Sequence, residues 1–317
     1  MNKDQTTRTP ETEEMYRSRV KGMIKQACRD GYVKDSKNVN PKEISLWLRS
    51  NKGKFCAATF RLYKAAFQMW IEENTHPDGP AAIELLNGEN NIPCLKRHMS
   101  KQTSALKDKK FSDADRMAVI DWLKNHPSKY SAALSFWLRI GVVIGLRPSE
   151  FKSAQVIKNE DGGFELRVKN AKATNGRSNG ETRTLLLNGL PIEMIRLIED
   201  TLKLFSKMDK VGKWSGFYKG CRTKLEVVGR KLWPKRKKFP SLYSLRHQFA
   251  ADAKSSGMSK IEVAALMGHA NQDTAGSHYA QRKVGRGSCA VTPSQEDVER
   301  LVSKAQFVQP KTNGSKT

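Results

Sequence analysis

The sequence has 317 residues, 38% of them hydrophobic and 28% charged, which is a soluble globular composition with chain enough for two domains. Lys and Arg number 57 against 32 Asp and Glu, a formal charge of +25. A surplus of that size calls for an anionic partner, most often nucleic acid.

A membrane surface is the competing partner, but neither end carries a basic amphipathic helix with an exposed Trp, Phe or Leu face. The longest apolar run, Ala132 to Leu146, is interrupted by Arg139 and too short to span a bilayer. Residues Met1 to Thr12 are polar and lack the apolar core of a secretory signal. The cysteines (Cys28, Cys56, Cys94, Cys221, Cys289) are scattered, with no CxxC pair and no His at ligand spacing. The expectation is a cytoplasmic protein with reduced thiols, no metal and no cofactor.

In chain order, residues 1–11 are polar and expected to be loose. A helix is predicted from Thr12 to about Cys28, since Met15, Val20, Met23, Ile24 and Ala27 recur at helical spacing. Asn40-Pro41 opens a second helix, with proline at its first position. A third spans about Lys54 to Glu73, and Ala81 to Leu86 gives a short fourth. Phe60, Tyr63, Phe67 and Trp70 in the third helix read as core rather than as a base-stacking platform, because helical spacing alone accounts for them. Together these form a helical domain over residues 12–92. Residues 93–112 are rich in Lys and Arg and poor in apolar side chains; they are expected to be a basic linker, and a strap over a phosphate backbone is its functional reading.

Ser112-Asp-Ala-Asp caps a helix running to about Lys124. Tyr130 to Gly145 is apolar nearly all round, the pattern of a buried helix. Phe164–Val168 and Thr182–Leu187 read as strands joined by the Gly/Asn/Ser-rich segment 171–180, a hairpin with a long tip. Helices are predicted at Ile192–Lys207 and Gly220–Lys231. Ser259 and Glu262 form a capping box for a helix ending at Gly268-His269. The second domain covers residues 113–290. Thr292-Pro293 is expected to open a last helix to about Ala305, and residues 291–317 are otherwise a polar, disordered tail. The fold class is mainly α with a small hairpin or sheet, that is, α+β.

Two arginines lie on apolar helical segments, Arg147 after the buried helix and Arg246 within Tyr243-Ser-Leu-Arg-His247. A buried arginine must be paired or bound to an anion. Two that converge make a clamp for a phosphate and offset the extra charge of a pentacovalent transition state. His269 is placed to donate to a phosphate oxygen. Lys172, at the hairpin tip, is placed to protonate a leaving 5′ oxygen. Tyr279 would then attack phosphorus. Taken singly each residue has a plainer reading: Arg147 paired to Glu150, Tyr279 in the core, His247 in packing, His278 solvated.

The segments GLRPSE (145–150), YSLRHQFA (243–250), LMGH (266–269) and the following HY (278–279) resemble the tyrosine recombinase, or phage integrase, family in order and spacing. The resemblance covers about residues 12–290, with strong motifs in the second domain and general shape in the first. It implies that Arg147 and Arg246 are the two catalytic arginines, Glu150 the buttressing carboxylate, His269 the residue of the third box and Tyr279 the nucleophile. Lys172 is the hairpin lysine and Lys169 its alternative. The chain departs from the family in two places. Tyr243 stands where a His usually precedes the second arginine by three residues, and the gap from His269 to Tyr279 is one residue longer than usual.

The resemblance implies an enzyme, a site-specific recombinase that clamps double-stranded DNA between its domains and forms a 3′-phosphotyrosyl link. It would act as a homotetramer through a Holliday junction, with a directionality factor as a further partner and nucleoid association when DNA-bound. The last helix has two readings, docking on a neighbouring protomer or packing on its own. Two other readings stay open: a type IB topoisomerase-like or telomere-resolving enzyme, and a catalytically weak DNA-binding accessory protein on the same fold. Tyr243 is the feature that favours the accessory reading. An RNA-binding protein is disfavoured, because no RNA-recognition motif is present.

Overall fold

The computed structural model describes residues 8–95, 107–171, 173, 178–271, 279 and 281–307. The chain divides into two units, residues 1–102 and 103–317, and its described residues are mainly helical with two small sheets, one of four strands and one of two.

The first unit holds α1 (Pro10–Arg29), α2 (Pro41–Ser50), α3 (Ala57–Asn74) and α4 (Gly79–Asn87). Helix α1 starts two residues before the predicted Thr12. Thr9 is its cap, accepting from the Thr12 amide at 3.3 Å, and Pro10 takes the first helical position, where its missing N–H costs nothing. Asn40 and Pro41 repeat the arrangement at α2. The core is apolar: Val20, Met23, Ile44, Leu48 and Phe67 are buried, and Trp47 packs edge-on to Phe55 with centroids 5.8 Å apart. Trp47 also donates from its indole N–H to Asp30 at 2.7 Å, which satisfies the one polar atom its burial would strand.

The second unit begins with β1 (Lys107–Asp108), α5 (Asp113–Asn125) and α6 (Ser131–Ile144), followed by β2 (Gln155–Lys158), β3 (Phe164–Lys169) and β4 (Thr182–Leu186). Next come α7 (Ile192–Lys210), α8 (Trp214–Leu232), β5 (Phe239–Pro240), α9 (Leu242–Ser255) and α10 (Lys260–Met267). The unit closes with β6 (Thr292–Pro293) and α11 (Gln295–Phe307). Helix α6 is the predicted spine: Leu134, Trp137, Leu138, Ile140 and Ile144 are buried, and α9 packs along it. Trp137 gathers Phe151, Phe205 and Trp214 within 5.9 Å between ring centroids. This explains why α8 starts at Trp214, six residues before the predicted Gly220: Trp214, Phe217 and Tyr218 pack on Trp137, so the first turns of α8 are held by tertiary contact.

Strands β2, β3, β4 and β6 form one antiparallel sheet in that order. The β3–β4 hairpin runs Lys169 opposite Thr182 and Glu165 opposite Leu186, as the alternation required. Strand β2 was not predicted, since Gln155-Val-Ile-Lys is too short to carry a periodicity. Thr292-Pro293, expected to open the last helix, instead pairs with Leu186 and Leu185 as β6. Proline is tolerated there because β6 is an edge strand. Ser294 is the helix cap instead, its hydroxyl accepting from the Asp297 amide at 3.3 Å. Helix α11 packs on its own protomer, with Leu301 and Val298 against Ala264 and Ala265 of α10. Asp297 fixes it to the sheet by accepting from the Thr184 amide at 2.7 Å. Lys172, most of the hairpin tip and His278 lie outside the described residues.

Candidate active site

Three chain reversals deliver the site. Helix α6 ends at Gly145, whose φ of 58° turns the chain sharply toward Arg147; a Cβ there would also run into the Phe249 ring. Ser241 opens α9, its amide donating to the Ser244 hydroxyl at 2.9 Å, and this sets the register that puts Tyr243, Arg246 and His247 on the first two turns. Helix α10 begins at the predicted Ser259–Glu262 capping box and ends at Gly268, at φ 60°, directly before His269. A Cβ on Gly268 would collide with Asn170 and Arg183, so the glycine of the LMGH segment answers to both conformation and space.

Glu150 is the centre of the arrangement. It is buried at 1% exposure and is shared by three guanidiniums. Arg147 donates from Nη1 at 2.6 Å and from its own amide at 2.8 Å. Arg183 presents both terminal nitrogens, at 2.8 and 3.3 Å. Arg246 completes the set at 3.8 Å. Burial alone would push the Glu150 carboxyl up, but Arg183, then Arg246 and Arg147, outweigh it and hold the group far below the usual carboxylate range.

Arg246, fully buried, donates to the carbonyls of Gly145 and Met267 and, from Nε at 3.1 Å, to the hydroxyl of Tyr279. Its guanidinium also lies 5.5 Å from the Tyr279 ring. The Tyr243 and Tyr279 hydroxyls are 3.0 Å apart. The surroundings split this pair. Burial raises both phenols, but for Tyr279 the charge of Arg246 and hydrogen bonds from Tyr243 and Arg246 prevail and lower it. Tyr243 is raised, by burial first and then by Tyr279. Tyr279 is therefore the phenol that ionises first, with Tyr243 as a donor to its oxygen.

His269 is 3% exposed, with its ring 5.1 Å from that of Tyr279. Neither ring nitrogen has a hydrogen-bond partner among the described residues. Burial, then Arg246 and Arg147, push it down to about 2, so the imidazole is neutral in the free pocket. Leaving two buried polar atoms unpaired is unfavourable by about 1–3 kcal/mol each, the mark of a site that waits for a ligand. His247, for which the sequence reading assigned only packing, lies with its ring tilted 5.1 Å from that of Tyr279 and edge-on 5.2 Å from that of Tyr243. Burial, then Lys109, push it down to about 4.

Of the residues singled out from the sequence, Arg147, Tyr243, Arg246, His269 and Tyr279 are thus gathered round one buried carboxylate. Lys172 lies outside the described residues, and its alternative Lys169 is exposed at the end of β3. Sequence reasoning missed Arg183 and Asn170. Arg183 donates to Asn170, and from Nε to the Leu266 carbonyl at 2.9 Å. A signal for it existed: Arg183 falls in phase with Leu185 and Leu187 on the inward face of β4, where an arginine must have a buried anion opposite.

No family model matches the sequence, and no curated protein is similar to it. Solved structures are similar. XerH site-specific recombinase bound to difH substrate, in a pre-cleavage complex, is 14% identical over 78% of this chain and 69% of that one, with a TM-score of 0.41. The Tn1549 transposon integrase in complex with a circular intermediate DNA is 14% identical over 76% and 80%, at 0.38. The XerA recombinase is 12% identical over 96% and 94%, at 0.37. Two of these are named recombinases and one an integrase. The likenesses are loose; what the pocket can do follows from its own geometry.

Proposed function

We propose that this chain is a tyrosine-type site-specific DNA recombinase, cleaving and rejoining duplex DNA through a 3′-phosphotyrosine. The observation that carries the reading is the Tyr279 hydroxyl, held by Arg246 and Tyr243 at 3.1 and 3.0 Å beside a buried His269 whose ring nitrogens have no partner among the described residues. A phenol with a lowered pKa next to clustered guanidiniums suits attack on a phosphodiester and little else.

The step balances without a metal. Tyr279 attacks as the phenolate, its proton having passed to solvent, and its oxygen forms a bond to phosphorus as the bond to the 5′ oxygen breaks. The leaving oxygen takes a proton, for which Lys172 is the proposed donor. Arg147 and Arg246 hold the non-bridging oxygens, and His269 donates to one of them. Arg147 suits this role because its Nε and Nη2 bond no described residue. Attack by a 5′-hydroxyl of a second strand reverses the step, so the phosphodiester's free energy is conserved in the tyrosyl link. Exchange between two duplexes in a homotetramer, with the net charge of +25 spread over phosphate contacts, completes the proposal.

The test is a nicked suicide duplex, selected from a random-sequence library by the binding of the Tyr279→Phe chain. The wild-type chain is expected to form a covalent adduct on a denaturing gel, and Tyr279→Phe none. Specific binding with no adduct from either chain would leave an accessory DNA-binding protein. Relaxation of supercoiled DNA lacking the selected site would point to a topoisomerase-like enzyme.

A further inference from the structure

Arg183 has no place in the chemistry above, yet it is as deeply buried as Arg246. Its donors are spent inside the protein: Nε on the Leu266 carbonyl, Nη1 on Asn170 and Glu150, and Nη2 on Glu150. Four of its five N–H groups are thereby taken, and the side chain is only 1% exposed. Its contact with Glu150 is the two-pronged one, one terminal nitrogen on each carboxylate oxygen, whereas the Arg147 guanidinium reaches one oxygen and Arg246 stands off at 3.8 Å.

The charges of the described pocket are three arginines, which do not lose their protons, one carboxylate and a neutral His269, a sum of +2. A phosphodiester carries one negative charge and its pentacovalent transition state two. Were Glu150 paired to Arg147 or Arg246 alone, the phosphate would meet a single uncompensated cation. With Arg183 on its far side, it meets two.

Resting on the recombinase reading, we infer that Arg183 is a positioning residue for phosphoryl transfer: it fixes Glu150 and offsets its charge, leaving Arg147 and Arg246 uncompensated toward the phosphate. The same side chain ties three pieces of the site together. Asn170 lies at the base of the hairpin leading to residue 172, Leu266 on the helix that ends at His269, and Glu150 on the turn carrying Arg147.

The experiment is single-turnover adduct formation by the full-length chain on the selected nicked duplex, with affinity for the intact duplex measured in parallel. Arg183→Met, which lowers the pocket to +1, is expected to slow adduct formation about 100-fold, a loss typical of one transition-state charge contact, with affinity changed less than about threefold. Adding Glu150→Gln restores +2 and is expected to recover about tenfold or more of that loss. A double variant as slow as Arg183→Met would overturn the inference and leave Arg183 a brace of the fold. So would a single variant as fast as wild type. Should Arg183→Met fail to fold, Arg183→Lys keeps the charge without the fork and is expected to stay within about tenfold of wild type; a Lys variant slower than about 100-fold would overturn the inference. If the wild-type chain forms no adduct at all, the recombinase reading falls and takes this one with it. The two failures are therefore told apart by the wild-type lane.

Discussion

The two units are built on opposite terms. Among the described residues, the first buries no charged side chain: its interior is Trp47, Phe67 and aliphatic neighbours, with Ser45 and Asn51 as its buried polar residues. The second buries Arg147, Glu150, Arg183, Arg246, Asp252, His269 and Asp297 around an equally apolar core. Taking charges out of water is unfavourable by several kcal/mol per ion unless they are paired, and an apolar replacement is often as stable. The second unit therefore retains groups that packing alone would not select, and those are the groups from which a reaction can be written. The buried groups of the first unit are accounted for by packing; those of the second are not.

The largest effect that separates these roles is Tyr279→Phe. It is expected to abolish adduct formation while changing thermal stability by only about 1 kcal/mol, the worth of one hydrogen bond. Arg246→Ala comes next and strikes both properties: it leaves the Gly145 and Met267 carbonyls without their donor, and is expected to destabilise the second unit by about 2–5 kcal/mol in denaturant titration while removing cleavage. Trp47→Ala is the counterpart in the first unit. A loss of about 3–5 kcal/mol is expected there, from lost apolar burial, the cavity left behind and the missing bond to Asp30. Proteolysis should then cut within residues 8–95 while the second unit stays resistant. A Trp47→Ala chain cut equally in both units would break the contrast.

Tyr243→Phe sharpens it further. The hydroxyl is the second donor to Tyr279, and its removal is expected to slow adduct formation by roughly 100-fold at neutral pH and shift the rate's dependence on pH upward, since Tyr279 loses a bond that favours its ionised form. An unchanged pH profile would show that Tyr243 does not tune the nucleophile. The smallest effect is on acid stability. His269 and His247 are held neutral, at about 2 and about 4, against 6.5 when unfolded. The unfolded chain thus binds more protons below pH 6.5, and stability falls as pH drops through that window, toward about 4 for His247 and further for His269. The slope is expected to be on the order of 1 kcal/mol per pH unit for each. His269→Asn should flatten the curve between pH 6 and 4, and a curve that keeps its wild-type slope would count against a buried neutral imidazole.

Much of this was legible in the sequence where local chemistry sets the outcome. The caps at Ser112, Asn40 and Ser259, the apolar α6 and the β3–β4 hairpin all follow from residues close together in the chain. The motif residues Arg147, Arg246, His269 and Tyr279 were named from the sequence as well, and the structure brings them together. What escaped depends on distant partners. Strand β6 exists only because Leu185 and Leu186, more than a hundred residues earlier, offer an open edge. The early start of α8 depends on Trp137. Arg183 belongs to no motif in the sequence; its partner Glu150 lies 33 residues away, and only the inward phase of a short strand hinted at the pairing.

The order in which the site can assemble follows from β6. The sheet that carries Arg183 is closed at its β4 edge by residues 292–293, and α11 is fixed to the same strand through Asp297 and Thr184. Contacts of such long sequence separation form late, because loop-closure entropy must be overcome before they stabilise anything. A chain still emerging from the ribosome would hold Arg147, Arg246 and Tyr279 before it held the edge that steadies the strand beside them. On the recombinase reading, strand cleavage then depends on β6, and released chains ending just before residue 292 are expected to form no adduct where the 317-residue chain does.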